Sequence, residues 1–112
     1  MGLDLAIRNG TIVDGSGAPR FQADIGIQDG QIVEIGRIRS GASQVIDAEG
    51  HMVAPGFIDG HTHMDAQVAW DPLGSCSCWH GVTSVIMGNC GFALAPCQPD
   101  QREWIARCLE AV

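Results

Sequence analysis

The chain has 112 residues, 46 % hydrophobic and 17 % charged, with a mean hydropathy of +0.11, a balance that suits a packed core and excludes a disordered segment. Thirteen acids stand against six bases, all of them arginine, for a net charge of −7. That balance leaves no electrostatic reason to bind nucleic acid or an anionic membrane surface, and no run approaches the roughly 18 apolar residues of a membrane span.

The first half reads as β-structure. Leu3, Leu5 and Ile7 alternate with polar or small residues, and Asn9-Gly10 signals a turn. Thr11-Ile12-Val13 is a second short strand, closed by Asp14-Gly15-Ser16-Gly17. Ala23, Ile25 and Ile27 alternate again, and Asp29-Gly30 predicts a tight hairpin into Gln31–Ile38, because both turn positions need φ > 0. Gln44–Asp47 and Met52–Ala54 are further short strands. Residues 1–55 are thus expected to form a small antiparallel sheet or β-sandwich with no chemistry of its own.

The character changes at Pro55-Gly56. Phe57–His63 is apolar with little alternation, as in a strand buried on both faces. Residues 64–81 read as loop and short helix, and Val82–Met87 as a second buried strand that stops at Gly88-Asn89-Cys90-Gly91. Pro96 and Pro99 mark a loop. Asp100 is placed to cap a helix over Gln101–Val112, with Trp104, Ile105, Cys108 and Leu109 on its apolar face. Residues 56–112 therefore carry a βαβα pattern, and the whole is an α/β chain with a β-rich N-terminal segment.

The side chains with chemistry gather in this second half. On a continued strand His61 and His63 project to one side, their Cβ atoms roughly 6.5–7 Å apart, close enough for both rings to reach one metal ion. Asp59 and Asp65 share their parity and would add carboxylates to that face. Cys90 follows the second strand, flanked by Gly88 and Gly91, and its thiolate would be a strong zinc ligand; a small buried hydrophobe is the plainer reading of it. Five cysteines, an odd number clustered after residue 75, fit reduced thiols in the cytoplasm better than a disulfide framework. The N-terminal residues lack the basic and apolar regions of a signal peptide. Cys76-Ser77-Cys78 lacks the spacing of a redox or zinc-finger pair. His80 is expected near a helix C-terminus, and His51 and Asp71 in solvated loops.

Three stretches together carry a resemblance. Arg8-Asn9-Gly10-Thr11-Ile12-Val13-Asp14-Gly15, then Asp29-Gly30-Gln31-Ile32, then Ala54-Pro55-Gly56-Phe57-Ile58-Asp59-Gly60-His61-Thr62-His63 resemble the N-terminus of the amidohydrolase superfamily. The run Gly81-Val82-Thr83-Ser84-Val85-Ile86-Met87-Gly88-Asn89-Cys90-Gly91 is similar to its D-aminoacylase (N-acyl-D-amino-acid deacylase) branch. Gly60 stands where that branch has serine, and Met64 where it has an acid; Asp65 keeps the second acid of that pair.

The resemblance implies a β-sandwich leading into the first two β/α units of a TIM-like (β/α)₈ barrel, and zinc held by His61, His63 and Cys90. It further implies hydrolysis of N-acyl-D-amino acids, with zinc activating water and polarising the amide carbonyl. A barrel takes about 250 residues, and the later histidines and the proton-shuttling aspartate have no counterpart here. No catalytic residue is thus assigned within this chain, which is expected to be an N-terminal portion, inactive alone, that pairs with a complementing chain or with copies of itself. Two other classes stay open: a small non-catalytic zinc-binding or partner-pairing domain, and a hydrolase with Cys90 as nucleophile and His61 or His63 as base.

Overall fold

Five strands pair into one sheet in the first half of the chain, as seen in a computed structural model that describes residues 2–91 and 93–110. The strands are β1 (Leu3–Ile12), β2 (Phe21–Gln28), β3 (Gln31–Gly36), β4 (Ala42–Asp47) and β5 (Met52–Val53), in the order β3-β2-β1-β4 with β5 also on β1. β1 with β2 and β2 with β3 are antiparallel, whereas β4 and β5 run parallel to β1. The sheet is therefore mixed, not antiparallel as expected. The chain crosses from one edge to the other between β3 and β4 instead of turning back on itself. On that crossing lies Ile38, only 3 % exposed; a Cβ on Gly26 would come within 2.9 Å of its Cδ1 and 3.0 Å of Leu3 Cδ1. Leu3, Ala6, Ile12, Ile25, Ile38 and Ala48 form the core of this unit.

Asp29-Gly30 makes the expected hairpin, with φ of 52° and 72°. Asn9-Gly10 does not turn the chain. Pairing jumps from Ile7↔Ile25 to Gly10↔Ala23, so Arg8 and Asn9 together face Asp24 in a β-bulge, with Asn9 at φ 60°. The Asp24 carboxylate accepts the Asn9 N–H at 2.9 Å and the Ile38 N–H at 3.0 Å. These two bonds hold its pKa below the ordinary value and pin the crossing segment to the bulge.

The second unit, residues 56–112, pairs β6 (Phe57–Asp59) with β7 (Val82–Val85) in parallel. A parallel pair needs a crossover, and residues 60–81 supply it through two single-turn helices, α1 (Met64–Gln67) and α2 (Ser75–Cys78). A 3₁₀ turn at Pro99–Gln101 leads into α3 (Arg102–Leu109). The apolar side of α3 faces Gly91 and Ala93 across a cleft of about 150 Å³ lined by Trp104, Ile105, Cys108 and Leu109.

Three expectations are corrected in this unit. β6 is three residues long and not buried on both faces: Phe57 is 66 % and Ile58 70 % exposed, because β7 is its sole strand partner among the described residues. β7 stops at Val85, leaving Ile86 and Met87 outside the strand and exposed. Asp100 lies within the 3₁₀ turn and makes no cap; α3 starts from Gln101, and the last two residues of the expected helix fall outside the described ones. Among the described residues no helix is long and apolar enough to cross a membrane.

Candidate metal centre

The first donor pair sits on a turn. β6 ends at Asp59 because its Oδ1 accepts the His61 N–H at 3.0 Å, an Asx-turn that bends the chain two residues on. Thr62 repeats the device, its Oγ1 accepting the Met64 N–H at 3.2 Å. His63 is then the N-cap of α1, its carbonyl accepting from Ala66 at 3.3 Å and Gln67 at 3.4 Å. The two histidines are thus brought together by successive turns, not by strand alternation. Their ring centroids lie 6.5 Å apart with planes inclined by 22°.

The second element is the turn after β7. The β6–β7 ladder is extended by the Ile86 N–H donating to Asp59 O at 2.8 Å. The chain then closes a β-turn in which the Gly91 N–H donates to Gly88 O at 3.1 Å. Gly88 and Gly91 have φ of 81° and 92°, a region that L side chains rarely adopt, so glycine at these ends lets Cys90 face back toward β6. Cys90 Sγ reaches His63 Nε2 at 2.7 Å. One donor atom each from His61, His63 and Cys90 lies within 4.8 Å of the others. Both histidines are exposed and Cys90 is half-buried, so the cluster is open to solvent.

Two imidazole nitrogens and a sulfur are the donor set that zinc and related borderline metals favour. At bond lengths of about 2.0–2.1 Å to nitrogen and 2.3 Å to sulfur, tetrahedral ligands stand roughly 3.5 Å apart. The observed spread of 4.8 Å or less needs only small side-chain movements to meet that. The residues present therefore fit such a metal.

Asp59 and Asp65, expected to add carboxylates to the same face, do other work. The Asp59 carboxylate holds the Asx-turn. Asp65 is in α1, 5 % exposed, and its Oδ2 accepts the Gly88 N–H at 2.8 Å. Asn89 Nδ2 donates to Gly60 O. Neither Asp65 nor Asn89 was singled out from the sequence for this bracing; both partners are backbone atoms, and adjacency to the donors was the available signal.

Asp71, expected in a solvated loop, lies in the loop before α2 but is half-buried there. Its Oδ2 accepts the Ser75 N–H at 2.8 Å, the Ser75 Oγ at 2.9 Å and Gln67 Nε2 at 3.2 Å. Burial opposes its ionisation, but the bonds from Ser75 and Gln67 outweigh it and hold its pKa below the ordinary 3.8. The stability that this carboxylate adds is complete above its unfolded pKa and is lost as the pH falls through the still lower folded one. Asp71→Ala is accordingly expected to lower stability near neutrality and to flatten the acid limb below about pH 4, as read by urea midpoints across pH. An unaltered acid limb would refute this role. Cys76 accepts from Gln67 Nε2 at 2.8 Å, Cys78 donates to Ser75 O at 3.4 Å, and all five cysteines are unpaired thiols. His51 is exposed, its ring at 3.0 Å from Glu49 O, and His80 follows α2 just before Gly81.

Compared with known proteins, residues 44–107 match the model of the amidohydrolase family, and residues 1–58 that of the N-terminal domain of the urease alpha-subunit. N-acyl-D-glutamate deacylase of Alcaligenes xylosoxydans is 44 % identical over 95 residues, 84 % of this chain and 20 % of its own. A solved N-acyl-D-glutamate deacylase from Bordetella bronchiseptica, in complex with zinc and a phosphonate inhibitor, is 44 % identical with a TM-score of 0.78. That match covers 87 % of this chain and 21 % of the deacylase. A D-aminoacylase described as having a binuclear metal centre superposes with a TM-score of 0.79 at 40 % identity, over 85 % of this chain and 20 % of its own. The chain thus spans about a fifth of the length of the curated relatives it matches.

Proposed function

Since the chain belongs to the amidohydrolase family, we propose that it carries the metal-binding N-terminal elements of a hydrolase that cleaves the amide bond of N-acyl-D-amino acids. In this reading residues 1–55 are part of a β-sandwich, and residues 56–112 begin a (β/α)₈ barrel with the donors at the carboxyl ends of β6 and β7. Strand ends of that kind are where such barrels keep their chemistry. One observation carries it: His61, His63 and Cys90, from two turns at one end of a parallel strand pair, bring their donor atoms within 4.8 Å. The kinship with deacylases of N-acyl-D-amino acids supports the substrate class. Five unpaired thiols fit a reducing compartment such as the cytoplasm.

His61 and His63 would hold zinc as neutral imidazoles and Cys90 as a thiolate, its proton passing to solvent. Zinc, when bound, supplies Lewis acidity that polarises a carbonyl and eases deprotonation of water. No carboxylate joins the three donors among the described residues, and in this reading the group that shuttles the proton lies outside this donor cluster.

Dialysis against zinc followed by elemental analysis tests the centre. The chain is expected to retain zinc and the double variant His61→Ala/His63→Ala to retain almost none; a parent chain that holds no zinc sinks the reading. Assayed on N-acyl-D-amino acids, the zinc-loaded 112-residue chain is expected to show no turnover, and robust turnover would overturn the claim that it is catalytically incomplete.

The 2.7 Å contact between Cys90 Sγ and His63 Nε2 favours a second reading, a thiol nucleophile with its imidazole base. Under that reading Cys90→Ser leaves metal content untouched.

A further inference from the structure

The two donor-bearing turns touch through more than their donors. Asp65 lies two residues after His63, and Gly88 two residues before Cys90. The Asp65 Oδ2 bond to the Gly88 N–H, at 2.8 Å, therefore closes a ring whose other bridge is the 2.7 Å contact of His63 with Cys90. A second brace lies on the other flank, where Asn89, adjacent to Cys90, donates to the carbonyl of Gly60, adjacent to His61.

Asp65 is the one charged residue among the buried ones described. A buried carboxylate is costly unless compensated, and the backbone N–H that its Oδ2 takes belongs to the turn carrying Cys90. Gly88, at φ 81°, opens that turn three residues after β7 ends at Val85. A bond to its N–H thus fixes the direction in which the Cys90 turn leaves the strand.

We infer that Asp65 and Asn89 are positioning residues, which hold the His61/His63 turn and the Cys90 turn at the separation one metal ion requires without ligating it. The inference rests on the metal-centre reading. A donor set spread over two loops binds well only if the loops are already in place, since otherwise the cost of ordering them comes out of the affinity. Contacts of this outer kind typically contribute 10–100-fold to metal affinity.

Titration of the full chain with Co²⁺, followed by its visible absorption and thiolate charge-transfer band, tests the inference. Asp65→Ala and Asn89→Ala are each expected to weaken cobalt binding by about 10–100-fold. Asp65→Asn, whose amide oxygen still accepts the Gly88 N–H, is expected to stay within a few-fold of the parent. That rescue distinguishes positioning from a general need for a buried charge. Asn89 is exposed, so Asn89→Ala leaves the fold intact and decides alone if metal-free circular dichroism finds Asp65→Ala unfolded. Cobalt affinity unchanged in Asn89→Ala and in a folded Asp65→Ala overturns the inference while leaving the metal centre standing, and so does an Asp65→Asn as weak as Asp65→Ala. A parent chain that binds no cobalt, or a Cys90→Ser variant that binds it as the parent does, overturns the metal centre itself and the inference with it.

Discussion

Cys90→Ser is expected to cost the chain more metal affinity than any other single exchange of similar size, well beyond the roughly 100-fold ceiling for contacts that only brace a ligand. The substitution keeps the shape of the side chain and replaces a soft, readily ionised donor with a hydroxyl that stays protonated and binds zinc poorly. Cys90 is half-buried and outside every helix and strand, so the packing of β6 and β7 is expected to survive. Competition against a chromophoric chelator measures the affinity, and loss of the cobalt–thiolate band identifies the missing donor. Undiminished zinc content in the variant would remove Cys90 from the centre and leave the thiol–imidazole pair with His63 as the better account.

The second large effect is expected from Gly56→Ala, which touches no donor. A Cβ at Gly56 would stand 2.1 Å from Thr83 Cγ2, 2.2 Å from Thr83 Oγ1 and 2.7 Å from Thr83 Cβ. Rotation about χ1 moves the first two atoms but not the third, which the β7 backbone fixes. Relief must come from parting the strands where Phe57 pairs with Val82 and its N–H donates to Gly81 O at 2.9 Å. Overpacking of this kind costs about 1–3 kcal/mol and sometimes more, and a pair with only three register positions has little ladder to spare. The urea midpoint of the second unit is expected to fall accordingly. The double variant Gly56→Ala/Thr83→Gly, which removes all three clashing atoms, is expected to recover part of the loss. A single variant within 0.5 kcal/mol of the parent would refute the clash.

Local conformational demands were legible in the residues, and pairing partners were not. Asp29-Gly30 and Asn9-Gly10 both announce positive φ, and in both pairs the first residue has it. One becomes a hairpin and the other a bulge, because the strand that meets Asn9 is set by Asp24, fifteen residues away. Parallel addition of β4 to β1 likewise follows from a crossing over the sheet, which no alternation pattern encodes. At the site, the spacing of His61 and His63 pointed to convergence, but the strand invoked for it ends at Asp59. Asp59-Gly60 is itself a turn signal, masked in the sequence by the apolar run before it. Trp70, Leu73, Trp79 and Trp104 are 69–84 % exposed. Of these, the sequence places Trp104 alone on an apolar face, that of the C-terminal helix, where it lines the cleft beside Gly91 and Ala93.

The ladder from Asp59 to Ile86 also bears on when a metal can be captured. His63 and Cys90 are 27 residues apart along the chain, and joining the ends of a flexible loop of that length costs about 3 kcal/mol before any constant term. In the unfolded chain an ion can chelate the neighbouring histidines cheaply but must meet that closure cost to add the thiolate. Once β6 and β7 pair, the cost has already been met by the backbone. The third ligand then distinguishes folded from unfolded chain, so bound metal shifts the equilibrium toward the paired strands and acts as a late-closing clasp on the crossover.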